Sequence, residues 1–126
     1  MVVIDTSAWI KYLRDPDSES GRVTDSLLLG REVVMVGMVL AEVLQGARTR
    51  RELDILRDRL TALRFLHTDQ ETWISVGELA LHLRERGAMI PITDLIIAAV
   101  AMRHNEPVYT LDDHFQRVPG LQLYGP

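Results

Sequence analysis

The sequence contains no cysteine, only one lysine and no hydrophobic run that approaches the length of a membrane span. Without cysteine, neither disulfide bonds nor thiolate metal sites can form. A transmembrane helix needs about 20 consecutive apolar residues, and the N-terminal residues lack the basic stretch and apolar core of an export signal. These absences lead us to expect a cytoplasmic protein that does not associate with a membrane.

The residues that are present suit one α/β domain over residues 1–126. Apolar residues make up 47% of the chain, which is enough for a sizeable core at this length. Short β-branched runs alternate with helical patterns, and this alternation predicts a mostly parallel sheet with helices on both faces. We expect Ser7 to cap the first helix. The predicted strands lie at 2–5, 33–36, 65–66, 108–110 and 121–124, and the predicted helices at 7–13, 18–29, 38–48, 50–62, 69–86 and 94–104.

The net charge of −4 argues against loose, charge-driven binding to nucleic acid. One stretch, residues 48–64, is nevertheless rich in arginine, with six arginines against three acidic residues. Arginine can pair with phosphate through two hydrogen bonds, whereas alternating charges mark a solvated helix face. From the sequence alone, both interpretations of this stretch are open.

Four acidic residues occur singly in apolar or turn surroundings: Asp5, Glu42, Asp94 and Asp112. Asp5 and Asp112 stand at the carboxyl ends of predicted strands, where open α/β sheets place their ligand sites. Glu42 lies beside the apolar stripe of its helix. Asp94 opens a helix so apolar on all sides that it must be buried.

Each of these acids also has an ordinary structural explanation. Asp5 can cap the helix that follows it, and an acid in the first helical turn, such as Asp94, is favoured by the helix dipole. Asp112 can form an Asx turn, and Glu42 can be an ordinary solvated glutamate. Taken together, these explanations require four well-placed acids to be a coincidence.

If the four acids converge, the sequence predicts a divalent metal site. Clustered carboxylates repel and raise one another's pKa values. Mg²⁺ or Mn²⁺ relieves this repulsion, because hard cations prefer oxygen ligands. The chemistry that uses such a site is phosphodiester hydrolysis, in which one metal activates a water molecule and a second can steady the leaving oxygen.

Other catalytic motifs are missing from the sequence. It has neither a glycine-rich phosphate loop nor a GxSxG elbow. The histidines lack the HxxxH and HExxH spacings of metal sites, so we predict surface or helix-cap positions for His67, His82, His104 and His114. We predict that the aromatic residues Trp9, Trp73 and Phe115 belong to the core rather than to a surface that stacks on bases.

Four segments together resemble a known family. They are 3–7 (Val-Ile-Asp-Thr-Ser), the helix around Glu42, 93–98 (Thr-Asp-Leu-Ile-Ile-Ala) and 110–115 (Thr-Leu-Asp-Asp-His-Phe). In their order and spacing they resemble the PIN domain, and in particular the VapC toxins of bacterial toxin–antitoxin pairs. The resemblance spans essentially the whole chain. It implies a three-layer sandwich with a central, mostly parallel sheet.

The same resemblance implies an activity and partners. It implies an endoribonuclease that depends on Mg²⁺ or Mn²⁺ and cleaves RNA, with a structured loop of tRNA or rRNA as substrate. It also implies a small VapB-type antitoxin that blocks the site, and a homodimer.

By position, the resemblance assigns the catalytic and metal-binding acids to Asp5, Glu42, Asp94 and Asp112. The hydroxyls of Thr6, Ser7 and Thr110 match positions that orient the acids. Asp113 adjoins the last acid, so it could share or replace the role of Asp112.

Three alternatives compete with this interpretation. A receiver domain needs a lysine after a late strand, but the single lysine here is Lys11, in the first predicted helix. A haloacid-dehalogenase-type phosphatase needs Asp-x-Asp after the first strand, whereas this chain has Asp5-Thr6-Ser7. The third alternative is a non-catalytic PIN-like module that binds RNA or protein, and the intact set of four acids argues against it.

Overall fold

A computed structural model of the protein describes residues 1–125, so the last residue of the predicted domain, 126, lies outside it. In this described range there are four strands, six α-helices and one short 3₁₀ helix. The strands are β1 (Val2–Ile4), β2 (Val33–Val36), β3 (Arg64–Leu66) and β4 (Val108–Tyr109). The helices are α1 (Thr6–Arg14), α2 (Glu19–Leu29), α3 (Gly37–Gln45), α4 (Arg50–Leu60), α5 (Gln70–Glu85), α6 (Ile92–Arg103) and the 3₁₀ helix Asp113–Arg117.

The four strands form one parallel sheet in the order β3-β2-β1-β4. Val3 pairs with Val34 on one side and with Val108 on the other. All carboxyl ends therefore lie at one edge of the sheet, and the residues that follow β1 and β4 become neighbours there. We call this the carboxyl edge.

The sheet is covered on both faces. Every residue of β1, β2 and β4 is buried. Because successive side chains of a strand point to opposite faces, burial of the whole run requires packing on both sides. The predicted α/β three-layer sandwich is confirmed. β3, the edge strand next to β2, is less buried, because Arg64 and Phe65 are exposed.

Side-chain caps fix where several helices begin. Ser18, Thr49 and Asp69 accept a backbone N–H at the starts of α2, α4 and α5. The prediction that Ser7 caps the first helix is wrong, because Asp5 accepts the N–H of Ser7 and the helix begins at Thr6. The shift by one residue places Ser7 inside the first turn, where its hydroxyl can reach Asp5.

The most apolar helix, α6, enters the centre of the protein. Its buried residues are Leu95, Ile97, Ala98, Ala99, Val100 and Ala101. It begins at Ile92, two residues before the predicted start, because Pro91 supplies the extended residue before the first turn. Asp94 therefore lies within the first turn, at the carboxyl edge.

Two further predictions about the fold are wrong. The predicted strand 121–124 is reduced to a single parallel bridge between Leu123 and Val108. Trp73, which we expected in the core, is 52% exposed on α5, whereas Trp9 and Phe115 are buried as predicted. Within residues 1–125, no helix combines the length and the apolar character needed to cross a membrane.

Candidate active site

Asp5 is buried at the carboxyl edge, directly after β1, and is only 3% exposed. Its Oδ2 accepts hydrogen bonds from Ser7 N at 3.4 Å, from Ser7 Oγ at 2.7 Å and from Thr110 Oγ1 at 2.8 Å. All three bonds go to one oxygen, so they leave Oδ1 to other partners. Asp5 thus caps α1, as its ordinary structural explanation predicts, and it also presents a carboxylate oxygen at the edge where ligands bind.

The hydroxyls of Ser7 and Thr110 connect Asp5 to the turn after β4. Thr110 Oγ1 accepts the backbone N–H of Asp112 at 2.9 Å, and Ser7 Oγ accepts that of Leu111 at 3.1 Å. The two hydroxyl oxygens lie 3.4 Å apart. Each hydroxyl therefore donates to Asp5 and accepts from the turn, so the position of one acid depends on the turn that carries another.

Glu42 reaches the same region from α3. The hydroxyl of Thr6 donates to Glu42 Oε1 at 2.8 Å, and Thr6 is the residue next to Asp5. The Glu42 side chain is half-buried, which does not fit the ordinary solvated glutamate of the alternative explanation. The bond ties the start of α1 to α3.

Asp94 projects from the first turn of α6, with a side chain that is 14% exposed. Burial raises the pKa of its carboxyl, a hydrogen bond with His114 counteracts this rise, and the charges of Asp5 and Asp112 raise the pKa further. The electrostatic effect of Asp5 and Asp112 indicates that three acids share one small region. A nearby cation would relieve their repulsion.

Asp112 lies in the turn after β4, beside His114. Its Oδ1 accepts the N–H of His114 at 3.0 Å, which caps the 3₁₀ helix, so the predicted Asx turn is present. The same oxygen lies 3.1 Å from Nδ1 of His114. Its neighbour Asp113 is exposed, so the structure groups Asp112, and not Asp113, with the other acids.

The structure adds to the site a histidine, His114, that the sequence patterns did not indicate. Nδ1 of His114 lies 3.0 Å from Asp94 Oδ2 as well as close to Asp112. We had predicted an ordinary surface or cap position for it. The one available signal in the sequence was the Asp-x-His spacing from Asp112 to His114 just after a strand, because a short turn there brings these two side chains together.

One atom from each of Asp94, Asp112 and His114 can be chosen so that the three lie within 4.8 Å of one another, a spacing that suits a metal ion. Carboxylate oxygens suit Mg²⁺ and Mn²⁺, and imidazole suits transition metals. The donor set of this site therefore fits a divalent cation. Asp5 lies outside this group of three but is joined to the backbone of Asp112 through Thr110, and Glu42 is bonded to Thr6, the residue after Asp5.

Comparison with known proteins identifies the family. The PIN domain family matches residues 2–121. Ribonuclease VapC5 of Mycobacterium tuberculosis is 35% identical over 124 residues, which cover 94% of this chain and 87% of that protein. The VapBC-5 toxin–antitoxin structure from the same organism contains a chain that is 28% identical, with a TM-score of 0.63 and coverage of 95% of this chain and 91% of that one.

The fold is shared more widely. The structure of VapBC2 from Rickettsia felis bound to a promoter DNA fragment has a TM-score of 0.81 at 23% identity, with coverage of 98% of both chains. At this identity the likeness concerns the fold alone. Because the family match and the VapC5 relative each cover nearly the whole sequence, this chain belongs to the PIN-domain family and, within it, to the VapC group.

Proposed function

We propose that this protein is a metal-dependent endoribonuclease that hydrolyses RNA phosphodiester bonds and acts as the toxin of a VapBC-type toxin–antitoxin pair. The observation that carries the proposal is the arrival of acids from four separate parts of the chain at the carboxyl edge. Its membership of the VapC ribonucleases supports the same activity. We place its action in the cytoplasm, where RNA substrates are found.

In this proposal, Asp5, Glu42, Asp94 and Asp112 hold Mg²⁺ or Mn²⁺. When bound, such an ion lowers the pKa of a coordinated water and offsets the negative charge that develops on the phosphate. Asp94 and Asp112 project from α6 and from the turn after β4, whereas Asp5 caps α1 and Glu42 lies in the second half of α3. The acids therefore stand on rigid elements, which keeps them in place without an ordering cost when the metal binds.

The hydroxyl residues would act by orienting the acids. Thr6 holds Glu42, while Ser7 and Thr110 both hold Oδ2 of Asp5. Partners that orient metal ligands typically affect metal affinity by about 10- to 100-fold. We therefore assign these three residues a positioning role, with no direct contact with the substrate.

The substrate in this proposal is a structured loop of tRNA or rRNA. The arginine-rich stretch contributes less to RNA binding than its composition indicates. Arg50 and Arg57 both face Asp54, and Arg57 also pairs with Asp58. These pairs along α4 follow the pattern of a solvated helix face, so RNA recognition would depend on shape and on the bound metal more than on this helix.

An apolar groove offers a place for the antitoxin. It runs between α1, α3 and α4 and is lined by Ile10, Leu13, Val43 and Leu56, with Arg14, Arg48 and Glu52 beside them. We propose that a C-terminal antitoxin segment, disordered when free, folds onto this groove. An arginine of the segment would then reach Asp5, Glu42 and Asp94, because its planar head group pairs with carboxylates through two bonds.

We also propose a homodimer. The exposed face of α5 carries Trp73, Ile74 and Leu81, each about half exposed. A second copy would remove these apolar side chains from water. Light scattering on the purified protein, and on a Trp73→Glu variant, tests this assembly: the wild type should give twice the monomer mass and the variant a lower value.

The competing function is a non-catalytic module that binds RNA or protein. Cleavage of total RNA by the purified chain, with Mg²⁺ or Mn²⁺ and with EDTA, separates the two functions. We expect cleavage that requires the ion and stops in EDTA. An absence of cleavage under both ions, by protein that is folded and binds metal, would favour the binding module.

A further inference from the structure

His114 is held against the acids from two directions. Its backbone N–H donates to Asp112 Oδ1 at 3.0 Å, and the next residue, Phe115, is 1% exposed and anchors the 3₁₀ helix in the core. These contacts fix the backbone from which the imidazole projects. Its Nδ1 lies between two carboxylate oxygens, at 3.0 Å from Asp94 Oδ2 and 3.1 Å from Asp112 Oδ1.

These distances match the edges of an octahedral coordination shell. Ligands at about 2.1 Å from an ion in octahedral geometry are separated from adjacent ligands by about 3.0 Å. One ligand atom from each of Asp94, Asp112 and His114 can also be chosen so that the three lie within 4.8 Å of one another. Nδ1 can thus be a neighbour of both oxygens around one ion, with its lone pair directed inward and Nε2 carrying the proton.

We propose that Nδ1 of His114 is itself a ligand, which adds an imidazole to the carboxylates of Asp94 and Asp112 around one ion. The inference rests on the proposed metal-dependent function and adds a nitrogen ligand to it. Nitrogen ligands favour transition metals, whereas Mg²⁺ favours oxygen alone. The imidazole therefore biases this site toward Mn²⁺, beyond the preference that carboxylates have by themselves.

The other role open to His114 is that of a hydrogen-bond donor that only orients the acids. The two roles predict different effects of His114→Asn. An asparagine amide lies near the position of Nδ1, so it preserves hydrogen bonding to the acids, but it offers oxygen in place of the imidazole nitrogen. If His114 is a ligand, this substitution weakens Mn²⁺ binding more than Mg²⁺ binding. If His114 only orients the acids, both ions are affected alike.

The test is direct metal binding, measured without RNA. The proteins compared are the wild type, His114→Asn and the matched control His104→Asn, which changes a histidine at the other end of α6 that bonds the backbone of His67. Pulsed electron paramagnetic resonance of bound Mn²⁺ reports a coordinated imidazole through modulation from its ¹⁴N nucleus. Calorimetry or competition gives the ratio of the Mg²⁺ and Mn²⁺ dissociation constants.

We expect imidazole modulation in the wild type and in His104→Asn, and its loss in His114→Asn. The preference for Mn²⁺ over Mg²⁺ should fall in His114→Asn, because an oxygen replaces the nitrogen ligand that favours Mn²⁺. Modulation that is absent from the wild type or persists in His114→Asn, or an unchanged preference, would overturn the proposal. Circular dichroism establishes that the variants are folded, and His114→Ala, assessed by the loss of imidazole modulation alone, replaces His114→Asn if the latter does not fold.

The outcomes separate this inference from the proposed function. If Mn²⁺ binds and RNA is cleaved but no imidazole signal appears, the nuclease stands and the nitrogen ligand is wrong. If the wild type binds neither ion, both the nitrogen ligand and the metal site of the proposed function are wrong.

Discussion

Thr110 donates its hydroxyl proton to Oδ2 of Asp5 at 2.8 Å, although 105 positions separate the two residues in the chain. The bond follows from the sheet register, because Ile4 pairs with Tyr109 on the adjacent parallel strand. Asp5, the residue after β1, therefore lies beside Thr110, the residue after β4. The same hydroxyl accepts the N–H of Asp112, so one oxygen atom joins the acid after β1 to the acid after β4.

Removal of this hydroxyl should weaken both the fold and the site. In Thr110→Val, Asp5 loses a hydrogen bond and the Asp112 N–H loses its acceptor. We expect a loss of about 1 kcal/mol in the free energy of unfolding and a metal affinity lower by about 10- to 100-fold. Urea unfolding and calorimetric titration with Mn²⁺ measure the two effects.

Thr61→Val is the matched control for Thr110→Val. The Thr61 hydroxyl donates to the backbone oxygen of Arg57 at the exposed end of α4, away from the acids. Its removal should leave metal affinity unchanged. Equal metal affinities for Thr110→Val and Thr61→Val would argue against the positioning role of Thr110.

Asp5→Asn and Asp94→Asn should each abolish RNA cleavage while the fold survives. An amide keeps the shape of the carboxylate and can still cap a helix, but it lacks the charge that binds a metal. The melting temperature without metal should be unchanged or slightly higher, because carboxylate repulsion is relieved. Asp113→Asn, at an exposed position, should keep its activity. Full cleavage by Asp5→Asn or Asp94→Asn would show that the substituted residue is not needed for the metal site.

Divalent ions should stabilise the protein selectively. An ion that binds only the folded chain adds about 2.7 kcal/mol at a concentration of about 100 times Kd. We expect Mg²⁺ and Mn²⁺ to raise the melting temperature and support cleavage, and Ca²⁺ to fail in cleavage because it is larger and less strict in geometry. Melting curves with each chloride salt, with Asp94→Asn as control, measure the stabilisation by each ion. Curves that do not move at millimolar ion would contradict the clustering of the acids.

Asp69 should make the stability of the protein depend on acid pH. Its carboxylate accepts bonds from Thr72 N at 2.9 Å and from Thr72 Oγ1 at 2.6 Å, and these hold its pKa below the ordinary 3.8. A lowered pKa means that this stabilisation is complete above the pKa of the unfolded chain, near pH 4, and is lost as the pH falls through the folded value.

Melting temperatures of the wild type and of Asp69→Ala between pH 7 and pH 2.5 test this dependence. The variant should melt lower at pH 7, and the difference should narrow below pH 4. Asp17→Ala, at an exposed turn position, provides the comparison for the general effect of acid. A difference that stays constant with pH would show that the charge of Asp69 is irrelevant to the cap.

Expression in cells tests the toxin and the groove together. The chain alone should arrest growth, co-expression of its antitoxin should restore growth, and Asp5→Asn should be harmless. Leu13→Asp puts a charge in the apolar groove where the antitoxin is proposed to bind. The variant should still arrest growth, but the antitoxin should no longer restore it. Leu29→Asp, at an exposed position at the end of α2, should still be rescued. Soluble wild-type chain that leaves growth unaffected would count against the toxin role.

Local patterns in the sequence were sufficient for much of the fold. The buried run 33–36 was predicted with its observed ends, because β-branched residues on both faces suit only a central strand. The end of the second helix at residue 29 was likewise predicted as observed, and the predicted start at residue 69 falls on the capping residue of α5. The strand 121–124 was not predictable in this way, since its residues alternate like a strand but meet only Val108 of the sheet.

What the sequence by itself determined is the chemistry of the acids: carboxylates at strand ends and at the start of an apolar helix indicate a divalent metal site. Which atoms meet was decided only by the tertiary structure. Parallel register brings Thr110 to Asp5, and the turn after β4 brings His114 to Asp94 of α6. Such contacts join residues that are far apart in the chain, and they depend on distances of about 3 Å, which hydrophobic periodicity cannot specify. The position of Nδ1 between two carboxylates therefore emerges only when the sheet, α6 and the 3₁₀ helix pack together.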